Sequence, residues 1–262
     1  MKILIVEPFY TGSHKVWAEG YANISSHKVE IISLPGRFWK WRMHGGAITL
    51  AKRFNKLNFE PDLILATDML NLPVFQSLVK PNCPVAIYFH ENQFTYPWSP
   101  NDTDVELQRD KHYGFINYSS ALSADHVYFN SQFHMDSFFI GLENFLKQFP
   151  DYREIQNIEC IRGKSSVLYL GMDLKKFDEY KIEKQASDPP LILWNHRWEH
   201  DKNPETFFNA LEKLSKIGAK FQLAGLFPDG CSMRGSLVVS YGGRRLFWCE
   251  IDSELFIAQR PP

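Results

Sequence analysis

The chain has 262 residues, with 29 Lys and Arg against 30 Asp and Glu, and 15% of the residues are aromatic. This composition excludes a disordered chain, and the length allows one large domain or two small ones. The balanced charge excludes a protein whose whole surface binds nucleic acid, although a local basic patch is compatible with it. No apolar run approaches the roughly 20 residues of a membrane span, and the four cysteines are scattered. We therefore expect a globular cytoplasmic protein that does not bind a membrane.

Short apolar runs alternate with amphipathic stretches along most of the chain. Almost wholly apolar strands are typical of a parallel sheet covered on both faces, and their alternation with helices indicates a doubly wound α/β architecture. We predict strands over residues 2–6, 29–33, 63–66, 85–89, 126–129, 166–170, 191–194 and 221–224, and helices over 45–57, 105–122, 132–149 and 204–217.

A domain boundary is indicated at residues 176–190, a charged stretch that ends in Asp188-Pro189-Pro190. We predict an α/β domain over residues 1–175, a linker over 176–190 and the start of a second domain over 191–225. Residues 226–262 contain four glycines but only one strand candidate, at 237–239. Because one βα unit cannot cover a sheet, we expect an atypical tail and an incomplete second domain.

The first predicted strand runs into a loop that contains Gly12, Ser13 and His14. Such a loop, ahead of a helix, is where α/β folds bind phosphates or sugars, since helix N-terminal N–H groups point there. A single glycine is equally found in an ordinary turn with Ser13 as the helix N-cap, and the loop alone favours that turn.

Four polar residues, from His90 through Glu91 and Asn92 to Gln93, follow the predicted strand 85–89. Open α/β sheets have their active sites at the carboxyl ends of buried strands. A polar loop with a capping asparagine is the alternative, but a His-Glu-Asn-Gln run between aromatic residues favours function.

Two motifs have metal-binding spacing in the wrong context. Asp102-Thr103-Asp104 follows a proline-containing loop and precedes a predicted helix, so we interpret it as a helix N-cap. His196–His200 matches the inverted zinc-peptidase pattern, which requires a helix, but lies between a strand and a helix beginning at Pro204. Arg197 and Lys202 in this loop predict a diphosphate site. An ordinary surface loop is the second interpretation, and a zinc site is a distant third.

Cations and aromatic residues alternate from Arg37 to Arg42, with Trp39 and Trp41 between them. Such a run can bind phosphates and stack on bases or sugars. It is equally compatible with aromatic side chains in the core and cations that extend to solvent. The sequence does not distinguish the two.

Five motifs follow one another: ILIVEPFYTGSHK (3–15), FWKWR (38–42), YFHENQ (88–93), FNSQF (129–133) and HRWEHDKNPE (196–205). In these the chain resembles the tRNA-queuosine mannosyltransferases, glycosyltransferases of the GT-B fold related to glycosyltransferase family 4. The resemblance covers residues 1–225 and implies two doubly wound domains, the first binding mostly the acceptor and the second mostly the nucleotide sugar. It implies transfer of mannose from GDP-mannose to queuosine in the anticodon of tRNA-Asp, with retention at the sugar carbon.

The resemblance also implies roles for the motif residues. The donor-side residues are Gly12, Ser13, His14, Arg197 and Lys202, of which the last two would neutralise the leaving diphosphate without a metal. His90, Glu91 and Asn92 would contact the reacting sugar or acceptor. Arg37, Trp39, Trp41 and Arg42 are our hypothesis for the tRNA contact, since unstacked anticodon bases suit aromatic stacking.

The sequence departs from the family after residue 225, where members continue with further βα units and a glutamate-rich donor segment. We therefore expect this product to lack most of the donor domain and to have little or no mannosyltransferase activity. A tRNA-binding remnant without catalysis is the second interpretation. A family 4-like enzyme with a lipid or polysaccharide acceptor is the third, and the lack of a clear basic amphipathic helix weighs against it.

Overall fold

The computed structural model describes residues 1–99, 102–107, 109–180, 190–196, 200–227, 237–241 and 244–251. The chain divides into two compact units. Unit 1 consists of Met1–Tyr96 and Pro100–Asp173, and unit 2 of Pro97–Ser99 and Leu174–Pro262. No helix in the described part of the chain is long and apolar enough to cross a membrane.

Unit 1 alternates strands and helices as the sequence predicts. In chain order its elements are β1 (Lys2–Tyr10), α1 (Gly12–Ile24), β2 (Lys28–Pro35), α2 (Trp39–Phe54), β3 (Leu63–Thr67), α3 (Leu72–Val79), β4 (Val85–Phe89), α4 (Thr103–Glu106), α5 (Lys111–Ser123), β5 (His126–Phe129), α6 (Gln132–Leu146), α7 (Asn157–Arg162) and β6 (Ser165–Val167).

The six strands form one parallel sheet in the order β2-β1-β3-β4-β5-β6. The chain moves from β1 to β2 in one direction and from β3 to β6 in the other. Since parallel crossovers are right-handed, this reversal places helices on opposite faces of the sheet. It also creates a switch point between the carboxyl ends of β1 and β3, where open α/β sheets bind their ligands.

Both faces of the sheet are apolar and covered by helices. Leu4 and Val6 of β1 belong to the larger buried cluster, with side chains from α2, α3, α5, α6 and α7. Ile3 belongs to a smaller cluster on the opposite face, against Trp17 and Tyr21 of α1. The alternation of side chains along β1 therefore supplies both faces, and the prediction of a doubly wound α/β fold is confirmed.

Unit 2 contains β7 (Leu191–Trp194), α8 (Pro204–Lys216), β8 (Phe221–Phe227), β9 (Leu237–Tyr241) and β10 (Arg244–Ile251). β7 and β8 pair in parallel around α8, which begins at Pro204 as predicted. β8, β10 and β9 then pair in antiparallel fashion. The unit thus opens as a βαβ unit and continues as an antiparallel ribbon, of which the sequence predicted only the strand near 237–239.

Several boundaries differ from those predicted. α2 begins at Trp39 rather than residue 45, because Phe38, at φ 56°, ends the preceding loop in the left-handed region. The single helix predicted over 105–122 is wrong, because this stretch is divided into α4 and α5. At the break, the Arg109 amide donates a hydrogen bond to the Asp104 carbonyl. The sequence also left α3 and α7 unpredicted.

Candidate functional site

Four titratable side chains meet at the switch point of unit 1. Glu7 lies near the end of β1, His14 in the first turns of α1, Asp68 just after β3 and His90 just after β4. Glu7 and Asp68 are almost completely buried, at 0% and 1% exposure, and His14 is 7% exposed. A cluster of buried titratable groups at this edge of the sheet indicates a functional site, since burying such groups is costly.

The pair of Glu7 and His14 is the charged centre of the cluster. His14 Nδ1 lies 3.1 Å from Glu7 Oε2, while Glu7 Oε1 accepts a hydrogen bond from the Phe9 amide. Burial lowers the pKa of His14, but the hydrogen bond to Glu7 and the charges of Asp68, Glu7 and Glu91 outweigh burial and raise it to about 9. His14 is therefore an imidazolium at neutral pH.

His90 lies against that cation and is itself uncharged. Its ring centroid is 4.3 Å from that of His14 and 4.8 Å from that of Trp17. Burial, followed by the charges of His14 and His134, lowers the pKa of His90 to about 3. A neutral imidazole held beside an imidazolium can form a hydrogen bond with a substrate hydroxyl without taking up its proton.

Hydrogen bonds fix the position of His90. Its amide donates to Asp68 Oδ1 at 2.9 Å, and its carbonyl accepts from Asn130 Nδ2 at 2.8 Å. Burial raises the pKa of Asp68, partly opposed by the charge of His14. Asn117 supports the same loop, donating to the Asp68 carbonyl and accepting from the Gln93 amide.

Glu7, His14 and His90 each offer a potential metal ligand, and these atoms lie within 4.8 Å of one another. A metal ligand must be deprotonated, however. Because Glu7 stabilises the proton on His14 and raises its pKa to about 9, a metal ion would have to displace that proton to use His14 as a ligand. The chemistry of the donor set thus agrees with a reaction that uses no metal, which stays a prediction.

Buried polar atoms near this edge lack protein partners. Within the described residues, His90 Nε2, His134 Nε2, Gln93 Oε1 and Thr67 Oγ1 are buried without a hydrogen bond. Thr67 ends β3, His90 and Gln93 lie in the loop after β4, and His134 lies in the first turn of α6, which follows β5. Unsatisfied buried groups are costly, so a polar ligand or ordered water at this edge would supply the missing partners.

The structure brings only some of the predicted residues into this cluster. Gly12 and Ser13 are exposed at the start of α1, and the alternative of a Ser13 cap is wrong because Thr11 is the N-cap. Glu91 is half-buried and contributes to raising the pKa of His14. Asn92 Oδ1 accepts hydrogen bonds from the Phe94 amide and from Thr95, which gives this side chain a role in holding the loop.

The segment from Arg37 to Arg42 lies beside the first loop. A Cβ on Gly36 would come within 2.1 Å of Thr11 Cγ2, which shows how closely the two loops approach. Trp41 is 64% exposed, so the core interpretation is wrong for this side chain. Trp39 is half-buried against Tyr96 and Tyr113, with ring centroids 5.6 and 5.1 Å away.

Among the other predicted residues, Lys202 lies in a short 3-10 turn of unit 2, with Nζ 2.7 Å from the carboxylate of Asp201. Arg197 lies outside the described residues. Asp102 caps α4 by accepting from the Asp104 amide, as predicted. The carboxylates of Asp102 and Asp104 each lie 2.6 Å from Lys40 Nζ, so both form ion pairs with this lysine.

Glu7, Asp68 and Asn117 are the site residues that sequence reasoning missed. Asp68 follows an apolar strand in the same way as His90, and the carboxyl-end rule that selected His90 would have found it. Glu7 is within an otherwise apolar strand, where a carboxylate needs a partner. Asn117 has no such signal, because its role depends on how α5 packs.

The fold and the site define a doubly wound α/β protein whose ligand-binding edge combines a buried histidine pair with buried carboxyl groups. The family described as tRNA-queuosine alpha-mannosyltransferase N-terminal matches residues 2–172. The chain belongs to this family, and the matched region covers nearly all of unit 1. The resemblance inferred from the five motifs is thereby confirmed.

A curated relative supports the assignment. The tRNA-queuosine alpha-mannosyltransferase of Drosophila melanogaster is 35% identical over 232 residues, which are 84% of this chain and 60% of the relative. This chain thus spans less than two thirds of that protein's length. Among solved structures, the apo form of the lipopolysaccharide outer core galactosyltransferase WaaB is 12% identical with a TM-score of 0.45, over 85% of this chain and 60% of that one. With so low a TM-score, the assignment rests on the sequence matches.

Proposed function

We propose that unit 1 is the acceptor-side half of a glycosyltransferase that transfers mannose from GDP-mannose to queuosine in the anticodon of tRNA-Asp, with retention of configuration. The observation that supports this most is that the family match coincides with the unit that contains the histidine cluster. An alpha-linked product from an alpha-linked nucleotide sugar is retention, which agrees with the name of the Drosophila relative.

The cluster suits the handling of sugar hydroxyls. A neutral His90, with Nε2 buried and unpaired among the described residues, can form a hydrogen bond with a hydroxyl of the queuosine acceptor or of the transferred sugar. The His14 imidazolium, held by Glu7, supplies positive charge that can stabilise the negative charge on the leaving phosphate as the glycosyl–phosphate bond breaks. Arg197 and Lys202 remain our candidates for the leaving diphosphate, and Arg37, Trp39, Trp41 and Arg42 for the tRNA.

The test measures binding and turnover separately. The chain is incubated with tRNA-Asp that contains queuosine, and with the same tRNA carrying guanosine at that position. We expect queuosine-dependent binding and, with GDP-mannose present, the gain of one hexose on the nucleoside at a low rate. Transfer that does not require queuosine, or equal binding of both tRNAs, would contradict the acceptor assignment.

The two alternatives predict different outcomes in the same experiment. A tRNA-binding remnant binds queuosine-containing tRNA and transfers nothing over long incubation. A family 4-like enzyme with another acceptor uses GDP-mannose on lipid or polysaccharide acceptors but leaves the tRNA unchanged. Robust turnover on tRNA would overturn our expectation of low activity while supporting the proposed reaction.

A further inference from the structure

A cavity of about 780 Å³ lies in unit 1 and includes none of the residues of the histidine cluster. It is bordered by α2, the α4–α5 connection, α5 and the end of α6. The side chains that matter for its chemistry are His44, Arg109, Lys111, His112, Phe115 and Phe149.

The charge that this cavity presents is positive. In the described part of the chain, Arg109 and Lys111 form no side-chain ion pair, and both are exposed. Of the described lining residues only Asp104 is acidic; its carboxylate is bound by Lys40 at 2.6 Å and by the Tyr113 hydroxyl at 2.9 Å, and the charge of Arg109 acts on it more weakly. The cations that remain suit phosphate groups.

The cavity also has aromatic lining residues. Phe115 is 47% exposed, and its ring centroid lies 6.5 Å from that of Phe149. His44 and His112 form a second ring pair, with centroids 4.9 Å apart. Exposed rings beside cations are the combination with which proteins bind single-stranded nucleic acid, since every base has a face that can stack.

The cavity lies near the segment from Arg37 to Arg42, in which Arg37 and Trp41 are exposed. Tyr113 links the two, because its ring lies 5.1 Å from that of Trp39 and 5.4 Å from that of His44. An acidic peptide would use the cations but would leave the aromatic lining residues without a planar partner, so RNA is favoured.

We propose that this cavity binds the acceptor RNA outside the modified nucleotide: Arg109 and Lys111 contact backbone phosphates, and Phe115 stacks on one unpaired base. The proposal rests on the proposed function, since it assumes that the acceptor is a tRNA. It adds a second anchoring point, separate from the histidine cluster where the reacting nucleotide would bind.

The test measures binding of a fluorescent anticodon stem-loop by the full chain over a series of salt concentrations. Each lost phosphate contact reduces the slope of log K against log salt by roughly 0.7–0.9, so Arg109→Ala/Lys111→Ala should reduce it by about 1.5. Affinity should fall at least tenfold. Phe115→Ala should weaken binding about tenfold with the slope unchanged, while Phe115→Tyr retains the affinity.

The matched control is Lys52→Ala/Lys56→Ala, which removes the same charge from exposed positions near the end of α2 and just beyond it. An equal loss of affinity in this control, or unchanged affinity in the cavity variants when circular dichroism shows that they are folded, overturns the cavity proposal alone. Competition by polyglutamate as strong as by unlabelled RNA also overturns it. If the wild-type chain binds no RNA, the proposed acceptor fails as well.

Discussion

The pairing of His14 with Glu7 makes the stability of unit 1 depend on pH in a predictable direction. The folded pKa of His14 is about 9 against an ordinary value of 6.5. Since each tenfold change in proton affinity corresponds to 1.36 kcal/mol, this difference is worth ~3 kcal/mol. Because the folded value is the higher one, the stabilisation is fully present below pH 6.5 and is lost as the pH rises through 9.

The informative substitution is Glu7→Gln, which keeps the size of the side chain and an oxygen for His14 but removes the adjacent charge. With that charge gone, burial has less opposition, and we expect the pKa of His14 to fall toward or below 6.5. The loss of unfolding free energy between pH 6 and 9.5 should shrink by most of the ~3 kcal/mol that His14 contributes, while the raised pKa of Asp68 still makes stability fall as the pH rises. The assays are an NMR titration of the His14 ring and urea unfolding at the two pH values.

His14→Gln is the control, since it identifies the His14 resonance and should remove the His14 part of this pH dependence, leaving the part that comes from the raised pKa of Asp68. The reasoning is refuted if His14 titrates at or below 6.5 in the wild-type chain. It is refuted equally if Glu7→Gln leaves the pKa of His14 unchanged.

Three further substitutions separate structural from binding roles. Asn117→Ala should lower the unfolding free energy by ~2 kcal/mol in urea titrations, because it leaves the Gln93 amide without its buried partner; an unchanged value would mean that the loop is held otherwise. Trp41→Ala should change stability by less than about 0.5 kcal/mol, since the ring is exposed, and weaken stem-loop binding in anisotropy titrations; a large stability loss would restore the core interpretation. Lys40→Met should lower stability by about 1 kcal/mol through repulsion between Asp102 and Asp104, and adding Asp102→Asn should recover most of it in thermal melts.

The sheet of unit 1 could be predicted because its strands are short apolar runs between polar connections. β4 and β5 have the predicted bounds, and β1 and β2 extend the predicted ones. The division of the helix predicted over 105–122 was not predictable from local periodicity; the first of the two helices is held by a tertiary contact, in which Lys40, 62 residues away, binds Asp102. Tertiary contacts of this kind leave no local periodicity.

The site could be predicted in part for the same reason. His90 follows a buried strand and His14 opens a helix, and both rules are local. Glu7 and Asp68 become site residues only because the strand order brings β1 and β3 together. The roles of Trp39 and Trp41 stayed open in the sequence. The residue type alone does not reveal that one tryptophan is half-buried and the other exposed.

The central claim, that the edge holding His90 recognises the queuosine of a tRNA, is tested most directly by one binding measurement. Dissociation constants are compared for anticodon stem-loops with and without queuosine, using the wild-type chain and His90→Ala. We predict a preference for queuosine of about tenfold, the equivalent of 1.4 kcal/mol, that is lost in His90→Ala while binding of the unmodified stem-loop is retained. Equal affinity of the wild-type chain for both stem-loops would contradict the account.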